Sequence, residues 1–255
     1  MLARASSEKT RQWWEKYLKG VIPFQGIGIP EIRNIVASWR EQTGLAQMPE
    51  NDQLRVALAL FEEAVAEDKL AGVLFLQYYL YDKFPCRELI GKYETLFSRN
   101  LIFDWNTCDW FCVRVLGPTI ARYKEPAARA ISSWRNATNV WQARSSVVPF
   151  VKVASEERYY PYIEAACTTL IRRDERFAKT AVGWLLRDVS KHNRGFVRVF
   201  MDNRIKHFSI ESAKNAMKYF EKKEREQYLR LLKGAPPEPT ENPGVRVDGI
   251  HLGIF

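Results

Sequence analysis

Apolar residues return every third or fourth position along almost all of the first 234 residues of a 255-residue chain. Only a helix turns that period into one buried face. The pattern runs through Leu54–Val65, Phe75–Leu80, Trp105–Val115, Val140–Val151, Ile163–Ile171, Ala181–Val189 and Ala213–Leu232. Short breaks separate these runs: Pro23 to Pro30, Phe84-Pro85, Gly117-Pro118, Glu125-Pro126 and Tyr160-Pro161. Pro30, Pro85, Pro126 and Pro161 suit the first turn of a helix, where a missing N–H costs nothing. No alternating run is flanked by Asn-Gly or Asp-Gly, and the single Asp-Gly, Asp248-Gly249, lies near the end of the chain. The expectation is an all-α protein of about twelve helices, each of roughly 10–18 residues. Trp105, Trp141 and Trp184 recur at intervals close to a HEAT or armadillo unit, which points to a curved α-solenoid of antiparallel helical pairs. Such a stack offers its concave face to an extended partner.

Charge suggests what that partner is. The chain holds 39 Lys and Arg against 30 Asp and Glu, a formal charge of +9. From Ala235 to Phe255 the sequence carries four prolines, three acids and one Arg, so residues 1–234 keep 38 basic against 27 acidic residues. The reading is one folded domain, 1–234, and a mobile Pro-rich tail, 235–255, whose Ile250–Phe255 docks on the body. With 46% apolar residues the chain can fill a core and is not a disordered polyelectrolyte. No apolar run reaches the roughly 18 residues of a membrane span, and the N-terminus lacks an apolar signal core, so an intracellular, cytoplasmic protein is expected. Four cysteines without a CxxC pair and three scattered His argue against a disulfide framework or a zinc site. A basic body fits a nucleic-acid duplex and an acidic protein partner equally well.

Three short constellations bear on chemistry. Trp105 and Asp109 stand four apart, so one helix face carries an aromatic ring and a carboxylate, a pairing suited to a cation. The same spacing also suits a core Trp beside a solvated or capping acid. Trp141 and Arg144 share a helix side, as an anchor and its Arg or as an ordinary amphipathic helix. In Lys179–Lys191, Gly183 lets another backbone approach, while Trp184 and Arg187 project together. Arg33, Arg172, Arg173, Arg187 and Lys191 are candidate phosphate contacts, with Arg187 and Lys191 favoured as neighbours of Trp184. Cys108 and Cys112 read as small buried hydrophobes.

Taken in order, these segments resemble the DNA alkylation repair family of HEAT-like repeat DNA glycosylases. The resemblance rests on TyrLeuLys at Tyr17–Lys19 with ProPheGlnGlyIle and ProGluIleArg up to Arg33. It continues in the Trp-x-x-x-Asp of Trp105 and Asp109, the Trp-x-x-Arg ending at Arg144, and GlyTrpLeuLeuArgAsp at Gly183–Asp188. It implies a single curved helical domain that cradles duplex DNA and excises cationic N3- and N7-alkylpurines in base excision repair. Position by position it implies that Asp109 is the catalytic carboxylate and that Trp105 and Trp184 flank the lesion. It places Arg144 at the DNA-backbone side and Tyr17 at the start of the cleft. It implies no metal and no cofactor, and the expected partner is double-stranded alkylated DNA bound by a monomer. The chain departs from the family where Thr180 replaces a Lys four before the tryptophan, with Lys179 preceding it. A non-catalytic protein for branched or distorted DNA, and a scaffold for an acidic protein, remain the alternatives.

Overall fold

Within residues 6–234, which the computed structural model describes, every regular element is helical. The tail expected from Ala235 onward, with its docking segment, lies outside the described residues. The helices are α1 (Glu8–Leu18), α2 (Ile29–Gln42), α3 (Glu50–Ala59), α4 (Ala66–Phe75), α5 (Cys86–Ser98), α6 (Trp105–Phe111) and α7 (Gly117–Tyr123). There follow α8 (Glu125–Ser133), α9 (Val140–Ser145), α10 (Tyr160–Leu170), α11 (Arg176–Ser190), α12 (Arg194–Asp202), α13 (Ile210–Ala216) and α14 (Lys222–Leu232). None of them is long and apolar enough to cross a membrane.

The helices stack as an α-solenoid, and the repeat is written in the side-chain bonds between layers. Arg99 reaches Glu62 across 37 residues, Tyr123 reaches the Phe84 carbonyl across 39, and Arg144 reaches Asp109 across 35. Arg173 bonds the Ala137 carbonyl across 36, Arg176 bonds Glu211 across 35, and Arg204 bonds Glu164 across 40. Each layer therefore ties to the layer one repeat away, as the tryptophan spacing anticipated. At the C-terminal end the interval shortens, with Arg198 reaching Glu224 across 26 residues. One continuous core runs through the stack. A separate small cluster of Leu18, Ile22, Phe24 and Ala66, with Trp14, Phe103 and Trp105 packed on it, fastens α1.

The helices are shorter than their patterns suggest, from the 6 residues of α9 to the 15 of α11. Val140–Val151 splits after Ser145 into α9 and a 3-10 turn, Val148–Lys152, that contains Pro149. Ala213–Leu232 splits between α13 and α14: α13 ends at Ala216, where Met217 leaves helical geometry, and α14 starts afresh at Lys222 after Glu221 in extended backbone. Conversely, the break expected at Gly117-Pro118 is absent. A π turn, Cys112–Leu116, joins α6 to α7 with helical dihedrals at Leu116 and Gly117. A proline in a regular helix loses a bond and collides with the carbonyl four residues back. Here that carbonyl belongs to Arg114, within the wider π turn, so Pro118 is accommodated.

Gly183 behaves as its sequence setting suggests. A Cβ added there would stand 2.5 Å from the Ser212 carbonyl oxygen and 2.8 Å from its Cα, so α11 meets α13 backbone to backbone. Gly183→Ala gains up to about 1 kcal/mol of helix propensity but overpacks against an unyielding backbone, at about 1–3 kcal/mol. The net effect is a lower urea midpoint; a raised midpoint would show that α13 yields freely.

Candidate active site

Asp104 starts α6, its carboxylate accepting from the Thr107 N–H at 2.9 Å. That cap makes Trp105 the first helical residue and sets Asp109 one turn later on the same side, as the four-residue spacing requires. Both are half-buried, with 17% of the Asp109 side chain exposed. Asp104, not Asp109, is the capping acid.

Arg144 meets Asp109 from α9, whose start is fixed by the Asn139 side chain accepting from the Trp141 and Gln142 N–H groups. Its Nε donates to Oδ1 at 2.7 Å and its Nη2 to Oδ2 at 2.9 Å, a bidentate fork. Its Nη1 turns the other way, donating to the Phe177 carbonyl at 2.7 Å and the Thr180 hydroxyl at 3.3 Å. The residue is only 5% exposed. Burial pulls the guanidinium pKa down, but the Asp109 charge and hydrogen bonds outweigh it and leave the value raised. Arg144 is expected at the DNA backbone; in this geometry four of its five N–H donors meet protein acceptors, two of them on the Asp109 carboxylate.

Behind the pair, Cys112 Sγ donates to Ser145 Oγ at 3.2 Å and Ser145 Oγ donates to the Trp141 carbonyl at 2.8 Å. Cys108 and Cys112 are fully buried, and burial drives the Cys112 thiol well above its ordinary pKa. They are apolar floor, as read from the sequence.

Thr180 and Trp184 stand one turn apart on α11, so the helix that receives Arg144 also presents the half-buried second tryptophan. Thr180 occupies the position where the resembling family carries Lys, and its hydroxyl accepts from Arg144. Lys179 does not substitute for that Lys, because its ammonium donates to the His207 carbonyl at 2.6 Å. The Arg187 guanidinium lies 6.0 Å from the Trp184 ring centre and bonds Asp188 at 2.8 Å, and Lys191 pairs with the same carboxylate. Two cations on one acid leave a single positive charge beside Trp184. Arg173, by contrast, is taken up by the Ala137 carbonyl and Glu175.

Tyr17 approaches from α1 with its ring edge-on to Trp105, centres 4.9 Å apart and planes at 75°. It is 51% exposed. What holds α1 there is a residue that no local pattern singles out. Glu67 is completely buried, and its carboxylate accepts from the N–H groups of Gln25, Gly26 and Ile27 at 2.7–3.1 Å. The Ser7 N–H donates to the Gly26 carbonyl, and Gly26 has φ +91° with no room for a Cβ against Ser7 and Arg11. The ProPheGlnGlyIle loop is thus an acid-bound strap that ties α1 to α4. Lys69, also buried, donates to the Phe61 carbonyl under the Phe103 ring; burial lowers its pKa and the Asp104 charge opposes that. Among the described residues no group of three or more His, Cys, Asp or Glu stands close enough to hold a metal ion.

Arg144 thus links Asp109 on α6 to Thr180 on α11, Trp105 and Trp184 stand one helical turn from those two ends, and Tyr17 meets Trp105. A family model described as DNA alkylation repair enzyme matches residues 1–220 of the chain. The fold is similar to a predicted DNA alkylation repair enzyme from Enterococcus faecalis, with a TM-score of 0.74 at 18% identity over 85% of this chain and 97% of that one. No curated protein matches the chain in sequence.

Removing one member of a buried pair strands the other's charge, which costs about 3–5 kcal/mol. Asp109→Ala is expected to lose that much in urea unfolding, and adding Arg144→Met to recover a large part of it. Additivity of the two changes within about 0.5 kcal/mol would mean that the pair is not coupled.

Proposed function

The chain belongs to the DNA alkylation repair enzyme family, and on that premise we propose that it is a monofunctional DNA glycosylase for positively charged N3- and N7-alkylpurines. It hydrolyses the N-glycosidic bond of the lesion in duplex DNA, the first step of base excision repair. Residues 1–234 act as one repair domain, working as a monomer on DNA inside the cell. The observation that carries this reading is the clamped carboxylate: Asp109, held by Arg144 at both oxygens, one helical turn from Trp105.

Alkylation at N3 or N7 places a positive charge on the purine and makes it a good leaving group. Cleavage moves positive charge onto the deoxyribose, giving an oxocarbenium-like state that a fixed carboxylate stabilises. A carboxylate offers about four lone-pair positions, of which the Arg144 fork uses two. The other two face the sugar or align the attacking water. At about 4 Å and an effective dielectric near 20, the carboxylate–cation attraction is on the order of 4 kcal/mol, and Arg144 offsets part of it. The faces of Trp105 and Trp184 add about 0.5–2 kcal/mol each against the cationic centre. Tyr17 borders the entrance, and the net charge of Arg187 and Lys191 over Asp188 meets the phosphates. Because the substrate supplies its own leaving-group activation, the residues named here suffice for the chemistry. The offset from Arg144 also favours a second reading, in which the protein binds branched or distorted DNA without excising a base.

Incubation with N-methylated duplex DNA separates the two: the glycosylase reading expects release of 3-methyladenine and 7-methylguanine. Asp109→Asn turns an accepting oxygen into an NH2 group facing Arg144, so it is assayed where its circular dichroism is native. It should abolish release while DNA affinity stays within a few-fold. No release from folded wild-type protein that still binds DNA would establish the second reading, and collapse of affinity in the variant would make Asp109 structural.

A further inference from the structure

Trp13 lies one turn before Tyr17 on α1 and is 57% exposed. A tryptophan that far in water is an unusual use of the largest side chain, and this one is rigidly placed. Its ring stacks on Tyr17, centres 5.1 Å apart and planes 18° apart, and is met edge-on by Trp14 at 4.8 Å. Trp14 is stacked in turn on buried Phe24, at 5.3 Å and 5°. The outer face of Trp13 is thus held ready while its underside is packed, so binding through it loses little side-chain freedom.

The charges around the ring identify what it faces. Helical spacing puts Lys9 and Lys16 on the Trp13 and Tyr17 side. The two acids of α1, Glu8 and Glu15, are occupied by Arg11, at 2.8 and 3.9 Å. Among the described residues Lys9, Lys16 and Lys19 make no ion pair, so their three charges outweigh the one negative charge that Arg11 leaves on Glu8 and Glu15, and this face is aromatic and net cationic. An exposed π face flanked by free ammonium groups is the chemistry that binds a stacked nucleobase and its phosphates. The platform is also continuous with the candidate site, running from Trp13 through Tyr17 to Trp105.

We propose that Trp13, backed by Tyr17, is a stacking platform for an unpaired nucleobase of the bound DNA, and that it selects duplexes carrying a displaced base over fully paired ones. This rests on the reading that the chain binds DNA, not on excision itself.

The test uses the full chain and two duplexes of one length. One bears a single-nucleotide bulge of 2-aminopurine; the other bears the same bulge as an abasic tetrahydrofuran unit. Stacking implies that wild-type protein binds the base-bearing bulge about fivefold or more tighter than the abasic one and quenches its fluorescence. Trp13→Ala should bring that ratio close to one and remove the quenching, and Trp13→Phe should restore part of both. A wild-type ratio of one, or a ratio unchanged in Trp13→Ala, overturns the proposal. Release of methylated purine by the same preparation reports on the glycosylase reading separately. A Trp13-dependent ratio without release defeats only that reading, and release without a Trp13-dependent ratio defeats only this one.

Discussion

The bidentate pair between Arg144 and Asp109 is the point on which both the stack and the site turn. A guanidinium 5% exposed cannot stay charged in a helical core without partners for its donors. Reaching out from α9, it finds them on the two neighbouring layers: the Asp109 carboxylate on α6, and the Phe177 carbonyl and Thr180 hydroxyl on α11. Its planar fork suits this, because the donors leave one side chain in fixed directions, which an ammonium could not reproduce. Satisfying the buried charge thus sets the register of three successive repeats and, by the same contacts, fixes the orientation of the carboxylate. A repeat protein is stabilised mainly by neighbour-to-neighbour interfaces, so such a bond both staples the stack and positions the site.

At the N-terminal end the same logic runs in reverse, with an acid buried to hold backbone donors. Glu67 gathers three N–H groups of one loop and so holds α1, which contributes Tyr17 to the site and Trp13 beyond it. The small apolar cluster around Leu18, Phe24 and Trp14 would be a weak attachment on its own. Hydrogen bonds to a charged acceptor are stronger than neutral ones, so an anionic anchor makes a terminal helix dependable where little apolar area is buried.

Much of this was legible in the sequence. The three- and four-residue period gave the helices, the tryptophan intervals lay near the repeat of the inter-layer bonds, and Gly183 marked a backbone-to-backbone helix contact. Trp105 and Asp109 share a face because helical geometry leaves no other choice. Elsewhere local signals misled. Gly117-Pro118 reads as a break, yet a π turn absorbs the proline; Ala213–Leu232 reads as one helix, yet a stop at Ala216 and a new start at Lys222 divide it. Arg144, Thr180 and Glu67 show the deeper limit. Their roles are set by partners 35 to 42 residues away, and no pattern within one helix records which carbonyl, hydroxyl or N–H will arrive from the next layer.

On the proposed reading, Arg144 serves the reaction by holding Asp109 and does not bind phosphate. The dependence of DNA affinity on salt tests it most directly, measured for wild type and Arg144→Gln beside single-turnover release of 7-methylguanine. Each phosphate contact contributes a slope of about 0.9 in log affinity against log salt. The expected result is an unchanged slope, with release slowed about a hundredfold as the carboxylate loses its alignment. A slope shallower by about 0.9 with release little affected would contradict it.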